Sequence, residues 1–195
     1  MGPRRGPTKG ICIWRETMSA TVKDDRIVLR QSWLNQLGMC PERARQDMLG
    51  LSKSTESTNT MIGSAVHSGI EYCLQSVIDN GTPETLPDTI EAGRKYWQDG
   101  QAEIVRWNHK EDKANLIIEN NLTVWWNEVR PELRPLAVEY SFELPLVPDH
   151  SPQIWLKGTI DLIQESPLPI IDWKNPGRKP NDAWEKKRWS VQAAA

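Results

Sequence analysis

Apolar residues recur at helical spacing in two long stretches of the chain. The first stripe runs from Ile62 to Val77, with its apolar positions three or four residues apart. The second covers residues 88–129 and is interrupted near Gly100 and again ten residues later. The Ser/Thr-rich segment 52–60 in front of the first stripe is typical of a loop. This pattern predicts a helical block over the first two thirds of the chain.

The last third of the chain changes to a period of two. Residues 138–144 alternate strictly between apolar and polar, which predicts a strand with one solvated face. This strand should pair with a second strand over 154–163, and a third short strand should follow over 170–174, after a proline-marked turn. The pattern predicts an α/β fold in which helices flank a central mixed sheet and an N-terminal helical region precedes it.

The ends of these patterns suggest how the chain is divided. Residues 1–25 mix Gly, Pro, Lys, Arg and Thr without a period, and we interpret them as a disordered basic tail. Residues 26–195 are predicted to form one domain. Its helical block covers 26–131, and its sheet and the helix after it cover 136–195.

Charge and composition exclude several classes of protein. The 195 residues contain 24 Lys and Arg against 26 Asp and Glu, a net charge of −2, so any DNA contact must come from local patches. No apolar run approaches the roughly 18 residues of a membrane span, and no apolar signal core follows the basic N-terminus. Three widely spaced cysteines argue against a disulfide framework. We therefore expect a cytoplasmic protein without membrane contact.

Two carboxylates stand inside the short apolar strands of the last third. Side chains alternate across a strand, so Asp172 and Lys174 share one face while Trp173 points into the core. A hairpin pairing would place Asp161 beside Asp172. Two carboxylates and an ammonium group suit a divalent cation and a phosphate. The alternative is a solvated strand edge with a surface ion pair, but an unpaired charge within apolar runs is costly, which favours a site.

The order of these residues resembles a known family. Residues 158–161 (Gly-Thr-Ile-Asp) and 171–174 (Ile-Asp-Trp-Lys) resemble the PD-(D/E)XK nucleases. The chain is most similar to their RecB-type exonuclease branch, which includes the AddB nuclease domain and the CRISPR-associated adaptation nucleases. Residues 63–67 (Gly-Ser-Ala-Val-His) resemble the upstream histidine motif of that branch, and Gln192 resembles the glutamine of its last motif. The resemblance covers about residues 29–195.

The resemblance implies a divalent-metal-dependent DNA nuclease, an exonuclease of recombination or repair, acting on DNA with a recombination or repair protein as partner. It implies that His67, Asp161 and Asp172 bind Mg²⁺ or Mn²⁺, together with the Trp173 carbonyl. The same two aspartates would be catalytic, because the cation they hold activates water and neutralises phosphate charge.

The resemblance also implies roles around the metal. Lys174 would orient the attacking water and stabilise the transition state, and Gln192 would position the water or the DNA strand. Glu71 would bond to the second ring nitrogen of His67. Glu139 would lie near the site beside a metal-bound water, although a solvent-facing strand glutamate is the alternative.

A local basic patch follows the proposed site. Tryptophans interleave with its five cations, which suits a DNA backbone groove, while the charged face of an ordinary amphipathic helix is the alternative. The cations of this patch are Arg178, Lys179, Lys186, Lys187 and Arg188.

Cys40 lies where some members of the branch place the first ligand of a [4Fe–4S] cluster. The other three ligands follow the catalytic core in those proteins, and this chain ends at Ala195, so the cluster is unsupported here. We interpret Cys40 as a small buried thiol between a helix capped by Ser32 and a second helix opened by Pro41.

The chain stops inside the last core helix of the family pattern, so we expect the last core strand to be missing. This favours a second hypothesis, a catalytically silent DNA-binding or scaffolding module with the same fold. The presence of Asp161, Asp172 and Lys174 together favours the enzyme.

Overall fold

The helices and strands of this chain follow from a computed structural model, which describes residues 20–23, 25–51, 56–147, 149, 151–165 and 169–174. The strands are β1 (Ala20–Lys23), β2 (Arg26–Arg30), β3 (Pro135–Val147), β4 (Gln153–Gln164) and β5 (Ile170–Ile171). The helices are α1 (Gln31–Met39), α2 (Pro41–Met48), α3 (Thr58–Asn80), α4 (Leu86–Gly100) and α5 (Glu111–Val124). Short 3₁₀ turns at Gln101–Glu103 and Arg130–Glu132 and a π turn at Trp125–Val129 complete the helical part.

The longest helix, α3, forms the centre of the core. The hydroxyl of Ser57 accepts a hydrogen bond from the Thr60 N–H at its start, and Gly81, with a φ of 74°, ends it in the left-handed region. The apolar stripe predicted from the sequence is buried along this helix, so that prediction is confirmed. The helix begins at Thr58, three residues earlier than the predicted loop allows.

Glycines let α3 and α4 approach closely. A Cβ on Gly69 of α3 would lie 2.9 Å from the carbonyl oxygen of Thr89, and a Cβ on Gly93 of α4 would lie 2.9 Å from that of Ala65. Leu122 of α5 is fully buried against both glycines. These three helices therefore share one tightly packed junction.

The sheet is organised around β4. Its order is β1-β2-β4-β3, with β5 also paired to β4. β2 runs parallel to β4, and β3 and β5 run antiparallel to it, so the predicted mixed sheet is confirmed. Leu162 of β4 is fully buried and joins the helical core, with Val138 of β3 packed beside it.

One edge of β4 has an opening at its middle. β3 occupies the opposite edge over nearly the whole strand, so β2 and β5 share the remaining edge. β2 covers residues 153–157 and β5 covers 162–163. Within the described strands, residues 158–161 have no partner on that edge. Asp161 thus lies where the sheet opens.

The N-terminal strands correct two predictions. Residues 20–23 were assigned to a disordered tail and 26–30 to a helical block, but both segments form strands. The two segments pair with each other as an antiparallel hairpin, and β2 is joined to the sheet by parallel pairing with β4, more than a hundred residues away, which leaves no local signal. Residues 1–19 of the predicted tail lie outside the described residues.

At the junction of α1 and α2, the structure differs from the predicted N-cap and from the predicted burial of Cys40. Arg30, not Ser32, occupies the N-cap of α1, and Pro41 opens α2 as predicted. Cys40 is exposed, so its predicted burial is wrong. The indole of Trp33 fills this junction instead, because its Nε1 donates to the Ala44 carbonyl at 2.9 Å.

Among the described residues, no helix combines the length and the apolar character needed to cross a membrane.

Candidate metal centre

Three potential metal ligands from three separate elements converge at the opening in the sheet. They are His67 of α3, Glu139 of β3 and Asp161 of β4, and their ligand atoms all lie within 4.8 Å of one another. The predicted convergence of His67 and Asp161 is therefore present in the structure. Glu139 belongs to the same group, although the sequence alone places it only near the site.

Asp161 is held in place by backbone and imidazole contacts. The Trp173 N–H donates to Asp161 Oδ2 at 2.6 Å, and His67 Nδ1 lies 3.7 Å from the same oxygen. Burial raises the pKa of this carboxyl, the Trp173 N–H and His67 lower it, and the nearby Asp172 raises it again. Burial is the largest of these effects and the net direction is upward, so a bound cation would stabilise the ionised Asp161 carboxylate.

Glu139 occupies an unusual backbone conformation. Its φ is 47°, in the left-handed region that a non-glycine residue seldom adopts. The β3–β4 register pairs Val138 with Leu162 and Tyr140 with Ile160, which places Glu139 level with Asp161. Burial, Asp161 and Glu71 together raise the pKa of Glu139 to about 7. Backbone strain and repelling charge both concentrate at this residue, as they often do at functional sites.

Glu71 lies near the carboxylates, one helical turn after His67. Burial raises its own pKa, and its charge contributes to the raised pKa of Glu139. The structure contains no hydrogen bond between Glu71 and His67, so the predicted bond to the second ring nitrogen stays a prediction.

Asp172 and Lys174 form a pair of their own. β5 pairs Ile171 with Leu162 and ends there, and the next residue, Asp172, lies close enough to Asp161 for its charge to raise the pKa of that carboxyl. The Lys174 ammonium lies 2.7 Å from the Asp172 carboxylate. Asp172 is not one of the three converging ligands in this arrangement, and its role as a metal ligand stays a prediction.

Trp173 connects the site to the core. Its ring packs edge-to-face on Trp125 with 6.3 Å between ring centroids, and it contacts the buried cluster, so its predicted inward direction is confirmed. This packing fixes the backbone N–H that holds Asp161. The role of the Trp173 carbonyl as a metal ligand stays a prediction.

The remaining predicted site residues lie outside the described residues and stay predictions. They are Gln192 and the basic patch formed by Arg178, Lys179, Lys186, Lys187 and Arg188.

The donor set fits a divalent cation. One imidazole nitrogen and two carboxylate oxygens can converge on a single ion, and carboxylate oxygens are the ligands that Mg²⁺ and Mn²⁺ prefer. Burial is the main reason that the pKa values of Glu139 and Asp161 are raised, so a bound cation would stabilise their ionised forms. The strand register explains why Glu139 joins the site, because the pairing of residue 138 with residue 162 sets residue 139 level with residue 161.

Without metal, the free energy of unfolding should fall as pH rises from about 5 to 8. The pKa of Glu139 is raised from 4.5 to about 7. The folded chain therefore binds more protons than the unfolded chain in this window, and its stability falls with rising pH. For a half-buried group with solvent screening, we expect a loss on the order of 1–2 kcal/mol.

Urea unfolding in EDTA at several pH values would measure this loss. Glu139→Gln is the matched control, because it keeps the shape and removes the titration, and its stability should vary less with pH. A wild-type free energy of unfolding that is constant or rises across this pH range would contradict the raised pKa of Glu139 in the folded chain.

Comparison with known families gives one match that covers most of the chain. The family model described as the PD-(D/E)XK nuclease superfamily matches residues 29–195. A comparison with curated proteins finds no match.

Proposed function

Because this chain belongs to the PD-(D/E)XK nuclease superfamily, a family of metal-dependent nucleases, we propose that it is a DNA exonuclease of the RecB-type branch. The proposed reaction is hydrolysis of phosphodiester bonds at DNA ends, with Mg²⁺ or Mn²⁺ as the cation. The proposed setting is DNA recombination or repair in the cytoplasm, together with a protein partner.

The observation that supports this proposal most is the convergence of His67, Glu139 and Asp161 from one helix and two strands. Side chains so distant in sequence meet within 4.8 Å, and two of them carry raised pKa values. A surface ion pair would not need carboxylates crowded against each other. We propose these three residues as ligands, joined by Asp172 and the Trp173 carbonyl.

A cation bound here would lower the pKa of a water molecule and neutralise charge on the phosphate. The protein contributes the orientation of the groups around it. The Trp173 N–H fixes the Asp161 carboxylate, and Asp172 holds the Lys174 ammonium next to the site. Lys174 would stabilise the negative charge that develops on the phosphoryl oxygens. Gln192 would position the water or the DNA strand, and the basic patch after the site would contact the DNA backbone.

The proposal can be tested with end-labelled linear duplex DNA and a covalently closed circle of the same sequence. Purified protein should degrade the linear DNA in Mg²⁺ or Mn²⁺, leave the circle intact, and do neither in EDTA. Asp161→Asn protein, purified in parallel, controls for contaminating nucleases. Equal cleavage of the circle would indicate an endonuclease, and no cleavage with any divalent metal would favour a silent DNA-binding module.

A further inference from the structure

A second concave site lies at the far end of α3, separate from the metal ligands. It is a cavity of about 330 Å³ between the C-terminal half of α3, the start of β3 and the end of β4. Leu74, Val77 and Leu133 contribute apolar walls, and the polar lining consists of Arg130, Arg134 and Glu165. A concave surface of this volume with a few polar groups is large enough to receive a phosphate and its sugar.

Both arginines of this cavity, here called the arginine cavity, are fixed by local contacts. The Arg130 guanidinium stacks on the Trp126 ring at 4.0 Å, and its Nε donates to the Trp126 carbonyl at 3.1 Å. Arg134 Nη1 donates to the carbonyls of Pro131 at 3.0 Å and Leu133 at 2.8 Å. Side chains that are already ordered lose less entropy when they bind a ligand.

The charge of the cavity favours an anion. In the part of the chain that the structure describes, no carboxylate forms an ion pair with Arg130 or Arg134. Among the described residues of the lining, Glu165 is the single acid, so these residues carry one excess positive charge. The planar guanidinium fork can donate two parallel hydrogen bonds to two oxygens of a tetrahedral phosphate, so a phosphate suits these residues.

The distance between the arginine cavity and the metal ligands corresponds to a few nucleotides of DNA. Leu74 follows His67 by seven residues of helix, which corresponds to about 10 Å. Pro135 precedes Glu139 by four residues of strand, about 13 Å. At about 3.4 Å per nucleotide along one duplex strand, this separation equals roughly three or four nucleotides.

We propose that the arginine cavity is a subsite for the phosphorylated terminal nucleotide of a DNA strand. Arg130 and Arg134 bind its phosphate, and the accessible apolar residues Val77 and Pro83 contact its sugar or base. The inference rests on the proposed nuclease function and adds the chemistry of the DNA end that the enzyme selects. A free nucleoside monophosphate carries the same groups, so the experiment must distinguish it from a DNA end.

The test is a binding measurement in EDTA, where no cation can hold DNA at the metal ligands. Fluorescence anisotropy would compare short oligonucleotides that carry a 5′-phosphate, a 3′-phosphate or neither, each labelled at the other end. Deoxythymidine monophosphate and inorganic phosphate serve as competitors. We expect the wild-type protein to bind one phosphorylated end about tenfold more tightly than the unphosphorylated strand, and the nucleotide to compete only weakly.

Three variants should change the binding of the phosphorylated end in different directions. Arg134→Gln should abolish the preference for the phosphorylated end, and Glu165→Gln should increase affinity for it about two- to threefold. Arg43→Gln is the matched control, because it removes an exposed arginine of α2 and should change nothing. Since misfolding cannot increase affinity, the Glu165→Gln result separates a charge effect from a loss of structure.

Equal binding of phosphorylated and unphosphorylated strands, or an unchanged preference in Arg134→Gln, would overturn the assignment. Tight binding of the free nucleotide without any preference for DNA ends would overturn it as well. A preference that persists in EDTA while no metal supports cleavage would overturn the nuclease proposal and leave the cavity assignment intact. Cleavage without a preference for the phosphorylated end would overturn the cavity assignment and leave the nuclease proposal intact.

Discussion

Replacing Asp161 by asparagine should abolish metal binding and DNA cleavage while the fold stays intact. The asparagine side-chain oxygen can still accept the Trp173 N–H, so the contact that orders this position survives. The lost charge removes one of the three converging ligands. Loss of residues that merely orient a metal ligand costs 10–100-fold, so for the ligand itself we expect a loss of activity on the order of 10³-fold.

Three measurements together test this prediction. Calorimetric titration with Mn²⁺ should show much weaker binding, and linear DNA should persist in the cleavage assay. Thermal unfolding in EDTA should show equal or higher stability than wild type, because the variant no longer places two carboxylates together. Wild-type cleavage by this variant would remove the metal centre from the mechanism.

Lys174→Ala is the contrasting variant, because it leaves the three converging ligands in place. A charge that acts mainly in the transition state contributes about 3–4 kcal/mol, so cleavage should fall by roughly 10²–10³-fold. Mn²⁺ binding should stay close to that of wild type. If Lys174→Ala also lost metal binding, the role of this lysine would be to hold Asp172 rather than to act on the phosphate.

Leu122→Ala should strongly lower the stability of the fold. This side chain is fully buried at the junction of α3, α4 and α5, where it contacts Gly69 and Gly93. The tight helix packing leaves little room for collapse around a cavity, so we expect a loss of about 2–5 kcal/mol. In a domain of this size, a loss of 3 kcal/mol corresponds to a decrease in Tm of roughly 6–12 °C.

Leu116→Ala is the matched control on the same helix. Leu116 is 55% exposed, so its truncation should change stability by no more than about 0.5 kcal/mol. Urea unfolding of both variants in EDTA would measure the difference. Equal losses for the two leucines would contradict the placement of Leu122 at the centre of the core.

Much of the fold can be predicted from local patterns. The stripe of α3 specifies which side chains of that helix enter the core. The alternation of β3 does not: Val138 packs against the core, but Tyr140 and Leu144 are exposed. Alternation over residues 170–174 correctly predicts that Trp173 turns inward. These features depend on residues close together in the sequence.

The features that sequence reasoning missed depend on distant or backbone contacts. β2 pairs with its neighbour β1 and also with β4, and the second pairing joins residues more than a hundred positions apart. The left-handed φ of Glu139 has no sequence signal, because glutamate ordinarily avoids that region. Glu139 therefore could not be distinguished from a solvent-facing strand residue by alternation alone.

The parallel pairing of β2 with β4 has a consequence for biosynthesis. Arg26 pairs with Gln153, 127 residues later (153 − 26), so the ribosome needs roughly 6–25 s to make the intervening chain. A two-stranded β1–β2 hairpin is marginally stable by itself, and long-range pairing slows folding. During this interval the nascent chain exposes an unpaired strand edge. The need for chaperones should therefore be greatest just before β4 emerges from the ribosome. The synthesis of β4, which carries Asp161, ends this need.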